Sequence, residues 1–430
     1  MKETALFGLL PLFFVLFQGC ISEIQAQNTD YTAALNKEIV STPMENTEKA
    51  KRSPYVILVS IDGFRYDYAQ KHGASNILEI AKNGSHVKWL IPSFPSKTFP
   101  NHYTLVTGLY PKSHGIVGNT FYDPEFDEFY RIRNRKVVKD GSWYGGIPLW
   151  NLAQMQGMCA ASYYWVGSEA NINGMHPKYY YIYQKQTPYE FRVRRVLEWL
   201  ALPENERPHM ITLYFSLVDT VGHTYGPEAK EIREAVQYVD QQIGALRSGI
   251  AKTGLPVYLI VTSDHGMQEV TSLININQYV AVDRSRFVGG PAAMIYTTDQ
   301  EETDHLYNVL SKKEFFRVYR KQELPDYLNY GNNPRIGELV LIAEPPYSIA
   351  HLESGNTEMA QIKADHGFDP YTTRTMGGIL YIEGPNVKKG YVLPPSENIH
   401  LYPLAAQILG LKVGTPIDGR LEVLQSVLEK

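Results

Sequence analysis

Cysteine is scarce in this chain: 430 residues carry two, Cys20 and Cys159. Two cysteines support neither a disulfide framework nor a thiolate zinc finger. Large animal ectodomains usually carry many disulfides, so the scarcity points to a bacterial cell envelope as the setting. An excess of positive charge is also missing, since 41 Lys+Arg against 45 Asp+Glu leave a formal charge of −4. Binding of a nucleic-acid polymer is therefore not expected. The apolar run at 5–17, broken by Gly8 and Pro11 and preceded by Lys2, is too short for a comfortable membrane span. It has the form of a signal-peptide core, which makes residues 1–22 an export segment. Gly19 before Cys20 offers a lipoprotein-type processing site, so lipidated Cys20 is a candidate membrane tether, with simple signal cleavage as the other outcome. Residues 23–53 are polar, lack apolar periodicity and are expected to be a flexible linker.

Beyond residue 53 the sequence is core-forming, and the whole chain holds 44% hydrophobic residues and 31 Tyr. Three β-branched runs dominate: 55–61 (YVILVSI), 210–216 (MITLYFS) and 257–263 (VYLIVTS). Near-continuous hydrophobicity over this length predicts strands buried on both faces of a parallel sheet. Between the last two, Ile232, Val236, Val239, Ile243, Leu246 and Ile250 recur at helical spacing, predicting an amphipathic crossover helix over 228–252. Residues 377–382 (GGILYI) predict a fourth strand. The fold class is α/β: an open, mostly parallel sheet with helices on both faces. One domain is expected over 54–428, with residues 270–360, too long for a plain loop, as an insertion lobe.

Open sheets of this kind bind ligands beyond the carboxyl ends of their strands. Each strong run delivers an aspartate there: Asp62 in DGFR, Asp219 in DTVGHTYGP and Asp264 in SDHGM. A single such Asp is usually a helix cap, but three together, each beside His or Gly, require another explanation. His223, His265 and His366 (in DHGFD) complete a set of three carboxylates and three imidazoles. That donor set suits zinc-like ions better than the all-oxygen preference of Mg²⁺ or Ca²⁺. Six ligands divide into two sites of three, each with an open position, as in catalytic metals. Asp219 and His223, four apart, share a helical turn, whereas adjacent Asp264 and His265 need a sharp turn at Gly266.

Thr98 precedes Phe99-Pro100 and an apolar run, which predicts a helix N-cap. Backbone N–H groups at such an end favour an anion. A free threonine hydroxyl is not ionised near neutral pH; a metal lowers the pKa of bound water from 15.7 to about 7 and acts similarly on an alkoxide.

With these residues in view, the sequence resembles the nucleotide pyrophosphatase/phosphodiesterase family of the alkaline phosphatase superfamily. KTFPN (97–101), TGLYP (107–111), SHGI (113–116), DxxGHxYGP (219–227), SDHGM (263–267) and His366-Gly367 occur in order across residues 54–428. The resemblance implies an alkaline-phosphatase-like sheet and two zinc ions, one on Asp219, His223 and His366, the other on Asp62, Asp264 and His265. It implies that Thr98 is the nucleophile of a phospho-threonine intermediate. Asn119 would hold a phosphoryl oxygen together with the Thr98 N–H. Phe99, Trp165 and Tyr183 would line a nucleobase pocket, where aromatic stacking contributes about 1–3 kcal/mol per base. The implied activity is cleavage of small nucleotide phosphodiester or pyrophosphate bonds, releasing a nucleoside monophosphate. Two departures, Leu217-Val218 where the family commonly has Glu-Pro and Val166 where it usually has Pro, bear on substrate choice. A phospholipid or choline-phosphate diesterase on the same metals is the rival enzyme reading, and a tethered binding protein with a vestigial site is the rival outside catalysis. Outside the motifs, Arg131, Arg133, Arg135, Lys136 and Lys139 suggest a solvated strand face, and Arg192, Arg194 and Arg195 the wet face of a helix.

Overall fold

The computed structural model describes residues 37–352 and 362–429. Strands are numbered along the chain: β1 (Ile39–Val40), β2 (Tyr55–Ile61), β3 (Ser85–Val87), β4 (Ala160–Tyr163), β5 (Tyr179–Tyr180), β6 (Met210–Phe215), β7 (Val257–Thr262), β8 (Leu380–Glu383) and β9 (Tyr391–Leu393). All seven residues of β2 are buried. Its alternate side chains enter different cores, Val56 and Leu58 on one face and Ile57, Val59 and Ile61 on the other. That two-sided burial is why the run is apolar at every position rather than at every second one.

The nine strands form one sheet in the order β1-β5-β4-β6-β2-β7-β8-β3-β9. The block from β5 to β7 is parallel throughout. β8 pairs antiparallel with β7, so the strand expected near 377–382 runs against the parallel block. Helix α1 (Thr98–Thr107) packs on one face through Tyr103, Leu105 and Val106. On the other lie α2 (Tyr189–Leu200) and α4 (Lys230–Thr253), while α3 (Leu217–Tyr225) leads from β6 toward α4. In α4 the stripe Ile232, Val236, Val239, Ile243 and Leu246 is fully buried, each side chain contributing about 1.5–3 kcal/mol relative to exposure.

Strands Phe287–Val288, Ala292–Ile295, Phe316–Arg320 and Leu339–Ala343 form a second, antiparallel sheet over a third core. Phe368, two residues beyond His366, is buried in that core, so this unit anchors the His366 loop.

Two expectations need correction. The proposed export segment, Cys20 and most of the polar stretch lie outside the described residues, but from residue 37 the chain is packed, not a free linker. β1 pairs with β5, Glu38 accepts from Trp199 Nε1 at 2.7 Å, and Asn46 bonds the Cys159 N–H and the carbonyls of Glu204 and Arg207. These anchors are polar side chains, invisible to a search for apolar periodicity. Arg192 is 0% exposed, not on a wet face. Its guanidinium donates to the carbonyls of Thr187 and Tyr214 and lies over the rings of Tyr164 and Tyr189. Arg194 and Arg195 keep the more solvated positions, the latter paired with Glu38.

Candidate active site

In-register pairing of β6, β2 and β7 brings their carboxyl ends to one line, with Ser60 opposite both Tyr214 and Thr262. Asp62 follows β2 directly, Asp264 lies two residues past β7, and Asp219 sits in the first turn of α3. The Asp219 N–H donates to the Asp62 carbonyl at 3.0 Å, clamping the two loops together. Gly63 makes this possible: its φ is +68°, and a Cβ there would lie 2.9 Å from the Cα of Asp219. Gly266 is needed for space, because a Cβ would sit 2.1 Å from the Thr375 carbonyl oxygen.

The structure brings all six sequence-derived donors together. Asp219, His223 and His366 form one cluster, with His223 Nε2 3.3 Å and His366 Nε2 3.6 Å from Asp219 Oδ1. In the other, His265 Nε2 is 2.9 Å from Asp264 Oδ2 and 3.4 Å from Asp62 Oδ1. The clusters adjoin, with the rings of His265 and His366 stacked at 3.6 Å. Asp62, Asp219 and His265 also lie close enough to share an ion.

Three observations test whether these residues fit metal ions. Each imidazole has its Nδ1 against a main-chain carbonyl: Ala364 for His223, Gly266 for His265 and Ser96 for His366, at 2.8–3.0 Å. Those Nδ1–H bonds leave the Nε2 lone pairs facing the carboxylates, the usual outer-shell arrangement around a metal. Among the described residues Asp62 Oδ1, Asp219 Oδ1 and Asp264 Oδ2 are buried with no neighbouring donor but the imidazole nitrogens, at 2.9–3.6 Å. An unpaired buried carboxylate oxygen is costly, and a cation would resolve that cost. Ligands about 2.0–2.2 Å from a tetrahedral ion stand roughly 3.3–3.6 Å apart, close to the 2.9–3.6 Å between these donors. The residues fit.

The electrostatics agree. Burial, with Asp264 and Asp219 nearby, pushes the Asp62 carboxyl well above its ordinary range. Burial opposes ionisation of Asp264 too, but His265 and His102 hold it well below. At His223 burial is outweighed by the bond to Asp219, and the imidazole rises to about 9. His366 is driven down by burial and by His265 beside it.

Thr98 is the first residue of α1, with Lys97 in the N-cap position. Its hydroxyl therefore does not cap the helix; Oγ1 lies 3.3 Å from His265 Nε2. The Phe99 N–H donates to Asn119 Oδ1 at 2.9 Å. With its oxygen so engaged, Asn119 presents its NH₂ as the available end, and neither that group nor the Thr98 N–H has a partner among the described residues.

A cavity of about 400 Å³ opens beside Thr98, Asp62 and Asp219 and is lined by Phe99, Trp165 and Tyr183. Trp165 is held by its indole N–H on the His102 carbonyl, and Tyr183 by its N–H on Glu169 Oε1. Arg133 and Arg135 also line it, so the basic cluster is not one strand face. Its strand ends at Arg131, and Arg135 and Lys136 begin a short helix.

Sequence reasoning missed several contributors. His102, one helical turn after Thr98, places Nδ1 3.2 Å from Asp264 Oδ2 and 2.9 Å from the Thr98 carbonyl. Its Nε2 meets Ser60 Oγ at 2.9 Å, so it fastens Asp264 to α1. The i,i+4 spacing from Thr98 was the available signal. The Tyr214 hydroxyl donates to Asp62 Oδ2, and Lys97 Nζ pairs with Asp365 at 3.0 Å; neither had a sequence signal.

Comparison with known proteins agrees with this geometry. Residues 56–369 match the family described as type I phosphodiesterase / nucleotide pyrophosphatase. Ectonucleotide pyrophosphatase/phosphodiesterase family member 1 of Mus musculus is 36% identical over 394 residues, covering 88% of this chain and 43% of that protein. A venom phosphodiesterase of Macrovipera lebetinus is 36% identical over 379 residues, covering 84% and 44% respectively. The chain thus spans less than half the length of these relatives. The solved structure of murine ectonucleotide pyrophosphatase/phosphodiesterase 5 superposes with a TM-score of 0.80 at 29% identity, covering 87% of this chain and 100% of that one. A further structure of that murine protein is an inactive threonine-to-alanine variant in complex with AMP. With its alkaline-phosphatase-like α/β fold, the chain belongs to the type I phosphodiesterase / nucleotide pyrophosphatase family of enzymes.

Proposed function

We propose that this protein hydrolyses small nucleotide phosphodiester or pyrophosphate bonds and releases a nucleoside monophosphate. The observation that carries the reading is the Thr98 hydroxyl 3.3 Å from His265 Nε2, at the mouth of an aromatic-lined cavity. Asp219, His223 and His366 would hold one zinc ion, and Asp62, Asp264 and His265 the other. Two such ions supply charge neutralisation for an in-line displacement and lower the pKa of a coordinated hydroxyl. Thr98 Oγ1 attacks phosphorus, and the bond to the leaving oxygen breaks. The Asn119 NH₂ and the Thr98 N–H receive the charge developing on a non-bridging oxygen. Water then cleaves the phospho-threonine ester and restores the hydroxyl. Phe99 and Tyr183 offer ring faces to the base, in keeping with the AMP complex of the murine relative.

The choline-phosphate alternative is disfavoured by charge. Among the described residues the only carboxylate on the cavity wall away from the metal donors, Glu169, is taken up by Arg135 and the Tyr183 N–H. A quaternary ammonium would meet Arg133 and Lys185 instead.

The test is hydrolysis of the 4-nitrophenyl ester of thymidine 5′-phosphate, with zinc content measured on the same protein. Thr98→Ala should keep about two zinc per chain and lose at least about a thousandfold in kcat, the scale of removing a nucleophile. Undiminished turnover in Thr98→Ala refutes the mechanism. Export, with lipidation at Cys20, is a separate proposal that membrane fractionation of Cys20→Ala would check. Among the described residues no helix is long and apolar enough to cross a membrane.

A further inference from the structure

The cavity wall carries more positive charge than a monophosphate held at Thr98 requires. Three cations line it: Arg133, Arg135 and Lys185. Arg135 is neutralised by Glu169. Arg133 and Lys185 have no ion-pair partner among the described residues, and both are exposed at the cavity. They come from segments far apart in sequence that are both fastened to the cavity. Lys185 follows Tyr183 by two residues, and the buried Arg192 guanidinium grips the Thr187 carbonyl just beyond it. Arg133 lies between the strand Glu128–Arg131 and the short helix Arg135–Val138, which the Arg135–Glu169 pair ties to the Tyr183 N–H. Two cations without an ion-pair partner among the described residues thus line the cavity that also holds Tyr183 and Thr98.

We infer that Arg133 and Lys185 form a subsite for a second phosphate on the nucleoside that remains bound, so that the preferred substrates are diesters of nucleosides bearing a 2′- or 3′-phosphate. This rests on the nucleotide reading above. A guanidinium offers a paired donor geometry to phosphate, and an ammonium adds a point charge. Because both side chains are exposed, water and salt screen them, and the gain is on the order of tenfold in affinity rather than several powers of ten.

The experiment compares AMP, adenosine 2′,5′-bisphosphate and adenosine 3′,5′-bisphosphate as competitive inhibitors of 4-nitrophenyl thymidine 5′-phosphate hydrolysis by the zinc-loaded full chain. At least one bisphosphate is expected to inhibit about tenfold more tightly than AMP at low salt. That ratio should shrink as sodium chloride rises toward 0.5 M. In Arg133→Gln/Lys185→Gln it should fall toward one, and Arg133→Lys should recover part of it. The readout is a ratio between two ligands on one preparation, so a general loss of activity or folding does not mimic the result. Equal inhibition by AMP and both bisphosphates overturns the inference while leaving the nucleotide reading intact. A preference that survives in the double variant overturns it as well, by assigning the preference to other groups. Hydrolysis of bis(4-nitrophenyl) phosphate that no nucleotide inhibits, with the thymidine ester left uncleaved, overturns the nucleotide reading and this inference with it.

Discussion

Tyr214→Phe isolates one outer contact of the site. The Tyr214 hydroxyl donates to Asp62 Oδ2 at 2.5 Å, while among the described residues Asp62 Oδ1 faces only His265 Nε2, at 3.4 Å. The ring also packs edge-on against His102 and Tyr183, at 5.2 and 6.1 Å between centroids. Phenylalanine keeps those contacts, so the substitution removes a single hydrogen bond. A hydrogen bond to a charged group contributes about 1.5–3 kcal/mol, and the open cavity beside Tyr214 places this one near the lower end. Without metal, burial and the neighbouring carboxylates favour protonated Asp62, and loss of the bond should cost about 1 kcal/mol. A bound ion requires ionised Asp62, so the rest of the loss, about 0.5 kcal/mol, falls on metal affinity, at about twofold. Chelator competition for zinc on both proteins, alongside urea unfolding of the metal-free forms, measures the two parts separately. Unchanged zinc affinity in Tyr214→Phe would refute the reasoning, as would a stability loss of several kcal/mol confined to the metal-free form.

Zinc affinity should climb with pH. Metal-free His223 titrates near 9 against an ordinary 6.5, so its charged form stabilises the free protein below about 6.5, and that stabilisation is lost as pH rises through 9. Zinc takes the neutral imidazole, so this one proton should raise affinity up to about tenfold per pH unit between 6.5 and 9; a dissociation constant flat across that window counts against the assignment. Gly63→Ala should cost about 2–4 kcal/mol by denaturant unfolding and lower zinc content, since it combines a positive φ with a clash on the Asp219 backbone; a cost under about 0.5 kcal/mol would show that the loop yields freely. Arg192→Met should cost at least about 2–3 kcal/mol by leaving the Thr187 and Tyr214 carbonyls short of donors, and a neutral result would show that water replaces the guanidinium.

Much of the fold was legible because a strand buried on both faces must be apolar at every position, and β2, β6 and β7 are nearly so. The six candidate donors were legible for a related reason: carboxylates and imidazoles placed just beyond such strands have no core to join. The cap position of Thr98 was misread because threonine before a proline-bearing first turn looks like a cap, whereas Lys97 takes that place and leaves the hydroxyl facing His265. The packed segment from residue 37 and the buried Arg192 were misread because their partners are main-chain carbonyls and distant side chains, which leave no periodic trace.

The sequence by itself determined the element types, the sheet class and the donor set, since periodicity and residue chemistry are local properties. Only the tertiary structure decided which donors lie within reach of one another, that Tyr214 and His102 brace two of the aspartates, and that two cations stand without an ion-pair partner among the described residues on the cavity that holds Tyr183. Those are relations between segments far apart in the chain, set by strand register and helix packing, and nothing along a single stretch of sequence encodes them.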